Sequence, residues 1–130
     1  MINPIPDNKN LGNRGELFVV HYLQQQGFTI HSQNYRKFFG EIDIIAYKKQ
    51  LYIFVEVKTR KSTTIAMGQL VNTSKQRKII KTAQTFISEQ QFHNKTFRFD
   101  VALLTQSKDG FDINYLENAF TQQESSYHGY

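Results

Sequence analysis

The stretch GEIDIIAYKKQLYIFVEVKTR, residues 40–60, holds two runs rich in Ile, Val, Phe and Tyr with only Lys48, Lys49 and Gln50 between them. Runs of this length, composition and separation form sequential antiparallel strands. Their apolar residues stand at adjacent as well as alternate positions, so both faces need cover and the pair belongs in the middle of a sheet. The chain is thus expected to build outward from a central hairpin. Into these same strands are set Glu41, Asp43, Glu56 and Lys58, and burying a charge without a partner is costly enough that some interaction has to offset it.

The rest of the chain supplies what covers the hairpin. Asn13-Arg14-Gly15-Glu16 has the form of an N-cap with an acid at the third helical position. That predicts a helix running to about Gln26 and ended by Gly27. FTIHSQNY, 28–35, alternates weakly and reads as a strand, followed by strands at about 41–47 and 51–58. Residues 60–71 read as a polar loop. From Ser74 to Gln91, Ile79, Ile80, Ala83, Phe86 and Ile87 recur at helical spacing. FRFDVALLT, 97–105, reads as a strand, Lys108-Asp109-Gly110 as a turn, and 111–116 as a short strand that pairs back. Residues 1–10 are expected to form a flexible arm and 121–130 a disordered tail. A chain of 130 residues suits one domain, an α/β fold in the order α-β-β-β-α-β-β with a central mixed sheet and a helix on either face.

Strand alternation places Glu41, Asp43 and Ile45 on one face of the first hairpin strand, and Tyr52, Phe54, Glu56 and Lys58 on one face of the second. If the connection closes around Lys49 and Gln50, Tyr47 lies opposite Tyr52, Asp43 opposite Glu56 and Glu41 opposite Lys58. A solvated ladder with one cross-strand ion pair would account for the charges, but Ile45, Phe54 and Tyr52 are not what a solvated face carries. Two facing carboxylates repel unless a cation lies between them, and hard oxygen donors suit Mg²⁺ or Mn²⁺. Glu16 shares a helical stripe with Val19, Val20 and Leu23 and so faces the sheet. It serves either as a third acid of the site or as the closing residue of a capping box.

Charge points to the partner. Lys and Arg total 16 against 11 acidic residues, a formal net charge of +5. Eleven of the 16 fall in two windows, Arg36, Lys37, Lys48, Lys49, Lys58, Arg60 and Lys61, then Lys75, Arg77, Lys78 and Lys81. Such clustering suits a polyanion, since neutralised phosphates release condensed counterions. Arg36, Lys37, Arg60, Lys75, Arg77, Lys78 and Lys81 are the candidate DNA contacts, although each lysine alone is an ordinary solvated side chain. Phe38 and Phe39, beside Arg36 and Lys37, read as core, with a stacking or wedge element as the alternative.

Two carboxylates and a lysine on a basic protein fit metal-assisted phosphodiester hydrolysis. Lys58 would hold the attacking water, deprotonate it or neutralise the transition state, and as a base it would need a lowered pKa. There are no cysteines, which removes disulfides and thiolate zinc sites and fits a reducing compartment. His21, His31, His93 and His128 show no ligand spacing. No phosphate-cradling glycine loop occurs. The N-terminal residues are polar and no apolar run approaches a membrane span, so a cytoplasmic protein without a membrane partner is expected.

Asp43 followed by Glu56-Val57-Lys58 resembles the D…(D/E)xK signature of the restriction-endonuclease-like nucleases, with Ile42 where many of them carry proline. Gly15-Glu16, Asn34-Tyr35-Arg36, Gly40 to Ala46, Phe54 to Arg60, Lys75 with Arg77, Arg98-Phe99-Asp100 and Asn118-Ala119-Phe120 together resemble the YraN-like family of bacterial proteins in that group. The likeness runs in order from about residue 12 to 120. It implies a restriction-endonuclease-like core over residues 11–120, related most nearly to archaeal Holliday-junction resolvases, with Glu16, Asp43 and Glu56 as metal-binding acids and Lys58 as catalytic lysine. The expectation is a metal-dependent DNA endonuclease acting on branched or processed DNA, with a homodimer as one arrangement. A DNA-binding protein that keeps the fold without catalysis is the alternative.

Overall fold

The structure, a computed structural model, describes residues 10–60 and 71–121. The elements in chain order are α1 (Asn10–Gln25), β1 (Thr29–Lys37), β2 (Gly40–Lys48), β3 (Leu51–Arg60), α2 (Thr73–Gln90), β4 (Thr96–Ser107) and β5 (Gly110–Phe120). The expected α-β-β-β-α-β-β order is present, in one five-stranded mixed sheet of order β1-β2-β3-β4-β5. Hairpins join β1 to β2, β2 to β3 and β4 to β5, whereas β3 and β4 run parallel with α2 in their connection. The expected loop at 60–71, the arm at 1–10 and the tail at 121–130 fall, apart from their inner ends, outside the described residues.

Each sheet face has its own core, because the two hairpin strands are apolar on both sides. Under α1, Val19, Val20 and Leu23 meet Ile44, Ala46, Ile53, Val55, Ala102 and Leu104. Under α2, Ile79, Ala83 and Phe86 meet Ile42, Ile45, Tyr52, Phe54 and Val101. The β2–β3 hairpin contributes to both, which places its backbone at the centre of the molecule. Tyr47 stands opposite Tyr52 as the spacing predicts, and their rings stack at 5.1 Å.

Three boundaries differ from the sequence expectation. Helix α1 already includes Asn13, so the Asn13–Glu16 segment is helix interior and no capping box operates there. The β1 strand continues to Lys37, two residues past the expected end at Tyr35. The β5 strand reaches Phe120, well past Leu116. Its extension is held by Asp100, fully buried, whose carboxylate accepts hydrogen bonds from the Asn118 N–H (2.9 Å), the Tyr115 hydroxyl (2.6 Å) and the Arg98 guanidinium (2.8 and 2.9 Å). A long-range side chain thus supplies the backbone partner that a local pattern does not reveal.

The start of β2 is pressed against α2. A Cβ on Gly40 would lie 2.6 Å from Thr82 Oγ1 and 3.1 Å from the Lys78 carbonyl oxygen, and the Thr82 hydroxyl is already committed as donor to that carbonyl. Gly40→Ala is expected to lower unfolding free energy by about 1–3 kcal/mol through this overpacking, read as a shifted denaturation midpoint with an unchanged m-value.

Candidate active site

The site is made where the central hairpin opens. Paired residues of β2 and β3 run from Lys48↔Leu51 to Ile44↔Val55 and end there. Beyond that point the Asp43 carboxylate enters the gap, and its Oδ2 accepts the Val57 N–H at 2.8 Å. A side chain has replaced a backbone acceptor, which holds the carboxylate in a fixed position at the mouth of the two strands. On the other flank of β2, the pairs Gln33↔Ile44 and Tyr35↔Ile42 place Asn34 opposite Asp43, and Asn34 takes a left-handed φ of 55°. Asparagine tolerates that conformation better than most residues. The pleat breaks at this level, since Ile42 and Ile45 both join the core under α2 while Ile44 joins the core under α1.

Asp43 and Glu56 are brought together, as the strand spacing predicts. They are 7% and 5% exposed and hydrogen-bond to each other. Burial first, and then the neighbouring Glu56 charge, push the Asp43 carboxyl up to about 7 against the stabilising Val57 N–H. The Asp43 carboxyl therefore keeps its proton well above the usual carboxylate range.

Lys75, from the first turn of α2, places its ammonium 2.7 Å from Glu56 Oε2, closer than Lys58 at 3.6 Å. Its position is set by the helix start, where Asn72 caps α2 by accepting the Lys75 N–H at 2.8 Å. Burial lowers the Lys58 pKa, and the adjacent Lys75 ammonium lowers it further. For Lys75, burial acts downward but the hydrogen bond and charge of Glu56 outweigh it, and the net shift is upward. The sequence reading placed Lys75 among the DNA contacts and did not foresee its ion pair with Glu56. A row of lysines on one helix does not show which of them turns inward.

Glu16 lies half-buried on the inner stripe of α1. Burial raises its pKa, a hydrogen bond from Asn34 opposes the rise, and the Glu41 and Glu56 charges add to it. Gly15 permits the close seat of α1 here, since a Cβ would fall 2.5 Å from Thr59 Oγ1. Asn34 is the second residue whose role the sequence did not reveal, although Asn in a strand rich in β-branched and aromatic neighbours is a signal of unusual backbone. The expected Glu41–Lys58 pair is absent, because the ladder ends before that level and Glu41 turns to β1, where Arg36 Nε donates to it at 2.8 Å.

The three acids do not converge equally. Among the described residues no group of three His, Cys, Asp or Glu side chains is gathered tightly enough to hold a metal ion. Asp43 and Glu56 form a close pair, and Glu16 faces them from α1 with its carboxylate engaged by Asn34. The remaining candidate cations are dispersed. Arg77, Lys78 and Lys81 are exposed on α2, Lys37 bonds Glu89 at 2.8 Å, and Arg60 bonds the Thr59 carbonyl at 3.1 Å. A cleft of about 490 Å³ lined by Tyr22, Phe28, Lys48, Arg98 and Tyr115 lies toward the beginning of β3 and contains none of the candidate acids.

Residues 15–104 match the model of a family described as uncharacterised protein family UPF0102. The chain belongs to the UPF0102 family. A UPF0102 protein of Clostridium acetobutylicum is 42% identical over 116 residues, covering 87% of this chain and 95% of the relative. One from Dictyoglomus turgidum is 42% identical over 117 residues, covering 88% and 99%. Another from Vibrio parahaemolyticus is 40% identical over 116 residues, covering 88% and 94%. The matched segment contains Glu16, Asp43, Glu56, Lys58 and Lys75. No helix among the described residues is long and apolar enough to cross a membrane.

The raised Asp43 pKa has a defined effect on stability. The folded chain holds this proton more tightly than an unfolded carboxyl with the ordinary value of 3.8, so the associated stability is complete below 3.8 and is lost as pH rises through about 7. In metal-free buffer at pH 8.5, Asp43→Asn is expected to be more stable than the wild type by about 1–4 kcal/mol. The difference should shrink toward pH 4, as read by urea denaturation at both pH values.

Proposed function

We propose that this protein is a metal-dependent DNA endonuclease that hydrolyses phosphodiester bonds, with Asp43, Glu56 and Lys58 at its centre and Glu16 facing them. The observation that carries this reading is an Asp43–Glu56 pair buried at the end of an otherwise apolar hairpin, with the Asp43 carboxyl pushed up to about 7 and Lys58 3.6 Å from Glu56. Such a pair is costly for stability, and functional sites are where that cost is retained. The resemblance of Asp43 and Glu56-Val57-Lys58 to the nuclease signature supports the same conclusion.

The donor set fits a hard divalent cation. The Asp43 carboxylate, held protonated up to about pH 7, and that of Glu56 would both serve Mg²⁺ or Mn²⁺ as hard oxygen donors, and Glu16 offers a further one. When bound there, the cation supplies Lewis acidity toward water and the phosphate. The chain's own groups do the positioning. The Val57 N–H fixes the Asp43 carboxylate, and Asn34 directs Glu16. Lys58, its pKa lowered by burial and by Lys75, is suited to hold or deprotonate the attacking water. Lys75 on α2, with Arg77, Lys78 and Lys81 beyond it, offers positive charge to the phosphates on either side of the bond.

One observation favours the second reading, a DNA-binding protein without turnover. The Lys75 ammonium sits 2.7 Å from Glu56 Oε2 and satisfies that acid without a metal.

The two separate in a cleavage assay on linear, flapped and four-way DNA with Mg²⁺ or Mn²⁺. Turnover is expected for the wild type and should fall at least about 100-fold in Asp43→Asn and in Lys58→Ala. Salt-sensitive binding by all three proteins with no cutting by any would establish the second reading instead. Because Asp43 must lose its proton before it can bind a cation, Mn²⁺ affinity measured by calorimetry is expected to rise as pH increases through about 7. A pH-independent affinity would exclude Asp43 as a ligand.

A further inference from the structure

The turn between β1 and β2 presents an aromatic side chain to solvent. Phe38 is 101% exposed, and Leu17, at 48%, is the other large apolar side chain exposed among the described residues. The core position expected for Phe38 is therefore wrong. A two-residue turn has no interior, and Gly40 holds its base against Thr82 and Lys78. The ring is not left loose. Phe39 meets it edge-on at 5.0 Å, and the Lys81 ammonium lies 4.7 Å from the centre of the Phe39 ring on α2. Phe38 thus projects from a supported platform.

What lies between the turn and the acids suggests the occupant. A cleft of about 410 Å³ runs between the start of β2 and the first turns of α2, lined by Gly40, Glu41, Asn72, Ser74, Lys75 and Lys78. Lys75 in the cleft wall bonds Glu56, and Lys81, three residues beyond Lys78 on α2, covers Phe39 beside the turn. Among the described residues neither Lys78 nor Lys81 has a carboxylate at ion-pair distance, so their charges are available to an anion. Phe38 is five positions before Asp43, at most about 17 Å along the chain. A second copy of the chain is a poor match for this surface. One phenylalanine offers about 200 Å², against about 800 Å² per partner in a stable protein interface.

We propose that the Phe38–Phe39 turn is a nucleobase-stacking element. It receives an unstacked base of a DNA single strand whose phosphates pass Lys81 and Lys78 toward Asp43 and Glu56. The substrate class of the site is then DNA with a single-stranded segment adjoining a duplex, because the bases of a closed duplex are already stacked on one another. This inference rests on the nucleic-acid part of the proposed function and does not require turnover.

The test is binding without metal, in EDTA, so that cleavage plays no part. Wild type, Phe38→Ala and Phe38→Tyr are titrated into a blunt duplex and a single-strand-tailed duplex carrying 2-aminopurine in the tail. Phe38→Ala is expected to lose about five-fold or more of the affinity for tailed DNA and the 2-aminopurine quenching, with blunt-duplex affinity unchanged. Phe38→Tyr should retain both. Unchanged thermal melting of Phe38→Ala, expected for a fully exposed side chain, confirms that the fold is intact. Equal affinity of wild type and Phe38→Ala for tailed DNA, an equal loss on both DNAs, or no binding at all would overturn the proposal. A Phe38 effect without metal-dependent cutting in the separate cleavage assay would leave the stacking element standing and defeat the nuclease. Cutting with no Phe38 effect would do the reverse.

Discussion

The hydrogen bond from the Val57 N–H to Asp43 Oδ2 is the contact on which the candidate centre depends. It forms because β2 and β3 separate after Ile44↔Val55, leaving a backbone donor that needs a partner inside the sheet. Asp43 provides it, and in doing so a carboxylate is fixed in a region of low polarity beside Glu56. Everything unusual at the site follows from that placement. The raised pKa of Asp43 and the approach of two ammonium groups to Glu56 are both responses to carboxylates held where they are poorly solvated, and the Lys58 pKa is lowered by its own burial and by Lys75.

The surrounding fold is arranged to keep that opening stable. Both faces of the hairpin are closed by helices, so the strands are rigid up to the point at which they diverge. The helices also bring the groups that the hairpin lacks. The α1 helix, seated closely at Gly15, brings Glu16, and capped α2 brings Lys75. On the far side of the central strand, β4 runs parallel to β3 and Asp100 secures the end of β5 through a fully buried network. Arg98, whose pKa is raised first by its hydrogen bond to Asp100, compensates that buried acid. The two buried acid clusters thus have opposite solutions. Asp100 is satisfied by four hydrogen bonds within the protein, as suits a structural group, while Asp43 has one fixed donor, the Val57 N–H, and Glu56 is met by the Lys75 and Lys58 ammonium groups.

That contrast bears on function. In the proposed function this carboxylate pair, at the mouth of an open hairpin, takes up an external cation, whereas Asp100 could not do so without losing four hydrogen bonds. The exposed Phe38 and the cations Lys78 and Lys81 extend the same opening outward. Chemistry and recognition would then share one edge of the molecule, joined by α2.

The sequence by itself determined the order of the elements, the central hairpin and the pairing of Asp43 with Glu56. These depend on local periodicity and on a two-residue turn, which fix the face and register of each strand. It also determined the inner stripe of α1, because Glu16 lies one helical turn before Val19 and Val20. Only the tertiary structure decided that Lys75 approaches Glu56 more closely than Lys58 does, that Asn34 supports Glu16, that Glu41 turns away to Arg36 and that Phe38 is solvent-exposed. Each of these depends on the distance between elements far apart in the chain, or on a break in strand pairing. Local spacing records which side a residue faces, but not what another element places there.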